Sequence, residues 1–245
     1  GPMFSRLSGA VLLMLAGCCL FPLTTRAAST TDPPFLFQWG AFGTGDSQFH
    51  SPGGIALDRD DFVYVSDTQN HRIVKYTSAG TYVTQWGTRG SGPGQFEEPF
   101  GLTVSPGGVV YVADHGNSRI QEFTTDGAYL GEIGYDGVGP GELQRPTGVA
   151  LDDSGNVYVA DNNNARVAKF TSEGAYVCVF GSYGTGDGQF GNIYDVVVDA
   201  SGRVYATDTG LPNRRSMMAR LTSEISRSER LPVELRLHRL PGCLH

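Results

Sequence analysis

FGLTVSPGGVVYVADHGNSRIQEFT, residues 100–124, holds three short runs in which apolar and polar residues alternate: FGLTV (100–104), VVYVA (109–113) and RIQEFT (119–124). A fourth run, AYLGEI (128–133), comes next. Alternation with period two is the mark of a strand with one face buried. The links Ser105-Pro106-Gly107-Gly108 and Thr125-Asp126-Gly127 place glycine where a tight antiparallel connection needs positive φ. Four such strands in about 45 residues make the size of one propeller blade.

On both sides of this stretch the pattern repeats in unbroken register. Asp67, Asp114, Asp161 and Asp208 are spaced by 47 residues, as are Tyr64, Tyr111, Tyr158 and Tyr205. Gly40, Gly87, Gly134 and Gly181 close one strand of each copy, and Gln48, Gln95, Glu142 and Gln189 sit in the loop after it. A single blade cannot bury both of its faces, so neighbours must stack. The expected fold is all-β, a β-propeller of four-stranded antiparallel blades, with repeats at about 53–86, 100–133, 147–180 and 193–237.

GGIALDRDDFVYVSDTQNHRIVKY (53–76), FGLTVSPGGVVYVADHGNSRIQEF (100–123) and TGVALDDSGNVYVADNNNARVAKF (147–170) share a first strand, a turn, a Tyr-Val-x-Asp strand end, then Asn-x-Arg-Ile/Val and an aromatic. In this the chain resembles the NHL repeat family over residues 35–225. The resemblance implies a propeller, and such propellers typically have six blades. Four copies leave a small four-bladed ring, an incomplete ring, or association of chains. Residues 35–39 (FLFQW) match a fourth strand and are expected to close a ring.

The fourth copy departs after Asp208, where GLPNRRSMM replaces Asn-x-Arg. Ala219–Glu224 then resumes the Ala168–Glu173 pattern with an offset of 51, so four residues are inserted. Residues 226–245 form an Arg-rich tail. It reads either as a final edge strand, from the alternation of Val233, Leu235 and Leu237, or as the product of a frameshift or truncation.

At the other end, Arg6 and the apolar run Ala10–Leu15 have the order of a secretory signal, placed at residues 1–28. Leu15-Ala16-Gly17-Cys18 resembles a bacterial lipobox, which implies cleavage before Cys18 and lipidation of its thiol. The alternatives are ordinary cleavage near Ala27 or Ala28, or a single membrane anchor, for which the apolar run is short of the roughly 20 residues that a span needs. Residues 29–34, rich in Ser, Thr and Pro, read as a tether. The expected location is extracytoplasmic, as a cell-envelope lipoprotein or a secreted protein, touching membrane only through a lipid anchor. Cys178 and Cys243 remain, and they imply no disulfide framework.

The chain carries a formal charge of −7. Residues 211–245 hold seven Arg and three Glu, net +4, leaving −11 for residues 1–210. An acidic propeller repels phosphates, which excludes nucleic acid as a partner. There is no Gly-x-Ser-x-Gly elbow, no phosphate-binding glycine loop and no metalloprotease helix motif, so nothing marks a nucleophile.

Because strands alternate in direction, the loops joining second to third strands share an end with the loops joining blades. A ligand is expected to meet that face. Its candidate residues are Asp67, Asn70, His71, Arg72, Asp114, His115, Asn117, Arg119, Asp161, Asn164, Arg166 and Asp208. A polar ring for a ligand is one reading of them. The other is a repeated brace, in which each Asp accepts loop N–H groups and the Arg supports it. His71 and His115 occupy non-equivalent loop positions and read as solvated, since no His-x-x-x-His spacing supports a zinc site. No metal or other cofactor is expected.

The leading functional reading is a non-catalytic binding scaffold at the cell envelope, with a protein, peptide or glycan partner. Family resemblance supplies an alternative, a metal-assisted lyase or hydrolase using Asp67, His71, Asp114, His115 or Asp161 around the axis. A third reading is a propeller fragment that self-associates, as a homo-oligomer, to close.

Overall fold

The structure, a computed structural model, describes residues 37–210. The expected export signal with Cys18, the expected tether, the Arg-rich residues 226–245 and the last two strands expected of the fourth blade lie outside the described residues. All of the described strands belong to the unit that begins at Gln38.

The chain opens with β1 (Ala41–Phe42), paired in parallel with β2 (Gln48–Phe49). The first blade is β3 (Pro52–Leu57), β4 (Val63–Asp67), β5 (Arg72–Tyr76) and β6 (Tyr82–Trp86), hydrogen-bonded in that order. The second is β7 (Pro99–Val104), β8 (Val109–Asp114), β9 (Arg119–Thr124) and β10 (Tyr129–Ile133). The third is β11 (Pro146–Leu151), β12 (Val157–Asp161), β13 (Arg166–Phe170) and β14 (Tyr176–Phe180). After β15 (Ser182–Tyr183), paired in parallel with β16 (Gln189–Phe190), the fourth blade begins with β17 (Ile193–Val198) and β18 (Val204–Asp208). The β1–β2 pairing recurs between the other blades as the bridges Arg89–Phe96 and Asp136–Leu143. The strands expected in the second copy from alternation alone agree with those observed to within one residue at each end. Residues 37–40 form no strand, so the expected closing strand is not made there.

Burial explains why the strands differ in composition. Second strands are sandwiched between sheets and buried at nearly every position, which is why VYVSD, VVYVAD and VYVAD are almost wholly apolar until the final Asp. Fourth strands lie outermost, and β6 and β10 alternate between half-buried and exposed residues. First strands pack side by side from blade to blade. Their backbones approach closely because Gly54, Gly101 and Gly148 carry no side chain; a Cβ on Gly101 would lie directly against the Thr147 carbonyl oxygen.

The core is made between blades. Leu102 on β7 packs in one cluster with Tyr64 and Ile73 of the first blade. Val149 sits likewise with Tyr111 of the second, and Val196 with Tyr158 of the third. Each such aliphatic side chain contributes roughly 2 kcal/mol of burial. The repeated tyrosines carry a second role. Tyr64, Tyr158 and Tyr205 donate their hydroxyls to Asp58, Asp152 and Asp199 at 2.7, 3.1 and 3.0 Å. Those carboxylates also accept N–H groups within the turn joining first to second strands, as Asp58 does from Asp60 and Phe62. Cys178 on β14 is disulfide-bonded, a bond to which the sequence, implying no disulfide framework, did not point. It is the only cysteine among the described residues, so no disulfide joins two blades within them.

Candidate binding site

Each second strand ends in an Asp, and in the first three blades a single 3-10 turn follows it, Thr68–Asn70, His115–Asn117 or Asn162–Asn164. The residue closing the turn, His71, Ser118 or Ala165, is left-handed, with φ of 54°, 57° and 49°. This geometry turns the Asn and Arg side chains back onto the Asp. Asp67 accepts from the backbone N–H of His50 at 2.7 Å, from Asn70 Nδ2 at 2.7 Å and from Arg72 Nε at 2.8 Å. Asp114 accepts from Glu97 N–H, Asn117, Arg119 and Gln121, and Asp161 from Gln144 N–H, Asn164 and Arg166. Asp208 accepts from the N–H groups of Gly191, Asn192 and Gly210.

The outer side of each clasp grips the loop that enters the blade. Arg72 donates to the carbonyls of Thr44, Gly45 and Gln48, and Asn70 to that of Gly43. Arg119 and Arg166 hold Gly92 and Gln95, and Gly139 and Glu142, in the same way. Within the loops Gln48, Gln95, Glu142 and Gln189 accept the N–H of Gly45, Gly92, Gly139 and Gly186. The Asp67, Asp114 and Asp161 carboxylates are fully buried and occupied by their own loops. Burial raises the pKa of Asp114 and Asp161, against the pull of the N–H and guanidinium donors around them.

The two histidines lie at the inner end of this face. His71 Nδ1 accepts the N–H of Glu98 at 3.1 Å. His115 Nδ1 lies 3.2 Å from the Pro146 carbonyl, and its Nε2 accepts from Arg145 Nε at 3.0 Å. Arg145 in turn reaches Glu98 at 3.8 Å, and Gln69 donates to Glu98 at 3.1 Å. Neither histidine is simply solvated: Gln69, His71, Glu98, Arg145 and His115 form one polar chain across adjoining blades. The lyase candidates Asp67, His71, Asp114, His115 and Asp161 are not brought together. Among the described residues no group of three or more His, Cys, Asp or Glu is placed to hold a metal ion.

The residues most available to a partner are ones that sequence reasoning passed over. On each clasped loop one exposed position stands beside the residue whose N–H enters the clasp, and the pair changes from blade to blade. It is Phe42 with His50, rings 4.9 Å apart edge to face; Arg89 with Glu97, an ion pair at 3.0 Å; Asp136 with Gln144; and Tyr183 with Gly191. Phe42, Tyr135, Val138 and Tyr183 are all exposed. The signal was in the sequence as a place where the 47-residue register persists while side-chain chemistry does not.

The family model described as "NHL repeat" matches residues 49–76, 96–123 and 143–170. No curated protein sequence matches the chain. Among solved structures, a catalytically inactive virginiamycin B lyase from Staphylococcus aureus with quinupristin is 17% identical, over 68% of this chain and 50% of its own, with a TM-score of 0.50. Kuenenia stuttgartiensis hydrazine synthase is 14% identical over 71% and 47%, with a TM-score of 0.52. A Bacteroides thetaiotaomicron protein of unknown function is 20% identical over 64% and 44%, with a TM-score of 0.51. At these identities the likeness is one of fold, and the chain spans about half the length of the structures it matches.

Proposed function

For a chain that carries three NHL repeats on propeller blades, we propose the function of a non-catalytic binding scaffold at the cell envelope, which takes a protein, peptide or glycan partner on its loop face. The observation that carries this reading is the contrast on that face. An Asp-centred buried clasp holds each loop, and beside it an exposed residue stands with a half-buried one, Phe42 with His50, Arg89 with Glu97, Asp136 with Gln144 or Tyr183 with Gly191. Rigid loops with aromatic tips lose little entropy on binding, and their differences supply specificity. The envelope location is supported by the signal-like N-terminus and Cys18. The test is a binding array of envelope glycans and peptides probed with the wild type and with Phe42→Ala, Tyr135→Ala and Tyr183→Ala. A ligand retained by wild type and lost by variants that melt normally supports the reading; ligands indifferent to all three refute the loop-face assignment.

A second reading, that copies of the chain complete one another's ring, is favoured by one comparison between blades. Leu102 and Val149 are 7% and 5% exposed, packed on the preceding blade, whereas Ile55 at the equivalent position is 67% exposed and Leu57 60%. At the other end Tyr205 is only half-buried, while Tyr64, Tyr111 and Tyr158 are covered by the blade after each. A head-to-tail contact between copies would cover both of these surfaces at once. Light-scattering mass distinguishes a concentration-dependent oligomer, abolished by Ile55→Lys, from a monomer that leaves this reading without support.

A further inference from the structure

The first strands β3, β7, β11 and β17 share a crevice of about 280 Å³, lined by Gly53, Gly54, Phe100, Thr147, Tyr194 and Asp195 among others. Two repeat positions meet there. One is Gly54, Gly101 and Gly148 in three blades and Asp195 in the fourth. The other is Gly53, Phe100, Thr147 and Tyr194. The register is kept while the side chains diverge, so neither Asp195 nor the aromatic pair is a device that every blade needs.

Asp195 is a carboxylate in an unusual setting. Its Oδ1 accepts the N–H of Val196 at 2.9 Å, and it stands 2.5 Å from where a Cβ on Gly148 would lie, so that glycine makes its room. Among the described residues no Lys, Arg or His forms an ion pair with it. Asp195 is itself exposed and so open to a ligand, while partial desolvation by the strands around it raises its pKa. Phe100 and Tyr194, from blades two apart in sequence, meet edge to face with ring centroids 5.3 Å apart.

A concave site with one uncompensated carboxylate, two aromatic rings and a glycine floor attracts a cation that is also partly apolar. Aromatic faces stabilise ammonium groups, while the carboxylate supplies the charge. A divalent metal would need more oxygen or nitrogen donors than this crevice offers, and an anion would be repelled.

We propose that this crevice binds an organic ammonium group, primary or methylated, with Asp195 as its counter-ion and Phe100 and Tyr194 as its aromatic wall. The site lies on the first strands rather than the loop tips and does not rest on the loop-face reading.

The test is NMR titration of the full chain with n-butylamine and with tetramethylammonium, against n-butanol and calcium chloride as controls. Saturable shifts at the Gly101 and Gly148 amides are expected with both amines and not with n-butanol. Asp195→Asn and Phe100→Ala should each weaken the amine by about tenfold. Asp195→Gly, which installs the residue of the other three blades, should abolish binding while leaving the fold intact. No saturable amine binding in the wild type, equal binding by Asp195→Asn or Asp195→Gly, equal shifts with n-butanol, or displacement of the amine by stoichiometric calcium would each overturn the proposal.

Discussion

The Nδ1 nitrogen of His115 lies 3.2 Å from the backbone oxygen of Pro146, and this contact ties the loop of the second blade to the first strand of the third. A carbonyl oxygen can only accept, so Nδ1 carries the proton; Nε2 accepts from Arg145, so the ring is neutral. Thr68 and Asn162 make the same stitch to Pro99 and Ile193. Three different side chains thus serve one interblade bond, and only His115 titrates.

Burial holds the His115 pKa below its ordinary 6.5, with Arg145 adding to the effect and the Pro146 carbonyl opposing it. The unfolded chain therefore takes up this proton first. The stability it confers is whole above pH 6.5 and is lost as pH falls through the folded value. His115→Asn, the residue that the third blade uses as Asn162, keeps the stitch without the titration. Urea midpoints measured at about pH 7.5 and about pH 5.5 should lie closer together in the variant than in the wild type. An unchanged gap would remove His115 from the pH dependence.

Asp114→Asn tests the clasp. The amide cannot replace a carboxylate that accepts from Glu97 N–H, Asn117, Arg119 and Gln121, and it leaves the Arg119 guanidinium without its buried partner. The expected loss is about 3 kcal/mol by urea denaturation at neutral pH. A loss under about 0.5 kcal/mol would mean that the clasp shapes the loop without stabilising the fold.

Gly101→Ala and Gly94→Ala separate two reasons for glycine. At Gly101 a Cβ would press on the Thr147 carbonyl and lie 2.9 Å from Gly148 Cα, forcing two blades apart, so about 3 kcal/mol should be lost. At Gly94 nothing lies within 4 Å, and only the φ of +74° resists a side chain, so about 1 kcal/mol is expected. Equal losses in thermal melts would contradict the close approach of the first strands.

Phe42→Ala and Tyr183→Ala remove exposed rings at the loop tips. Each should shift stability by under about 0.5 kcal/mol. A larger loss would place these rings in the fold's own packing and withdraw them from the binding face.

Strands, turns and blade period were legible in the sequence because each is encoded within a few residues. VVYVA alternates, Thr125-Asp126-Gly127 turns, and Asp recurs at 47. The Asp, Asn and Arg of each clasp were legible too, as a repeated set. Their partners were less so: Asp67 binds the N–H of His50, 17 residues earlier, in a loop whose variable pairs the repeat disguises. His71 and His115 read as unconnected loop residues because Glu98 and Arg145, which join them, come from different interblade loops.

The unit itself is therefore written in the chain: an all-β blade, its period, and the residues that brace its loops, all set by contacts within one repeat. What neighbouring units do together is settled by their packing in three dimensions. That packing brings Phe100 to Tyr194, sets Asp195 against Gly148, and leaves Ile55 uncovered. The reason is that alternation and turn chemistry act along the chain, whereas the angle between blades is set by how closely first strands pack. No single repeat contains that quantity.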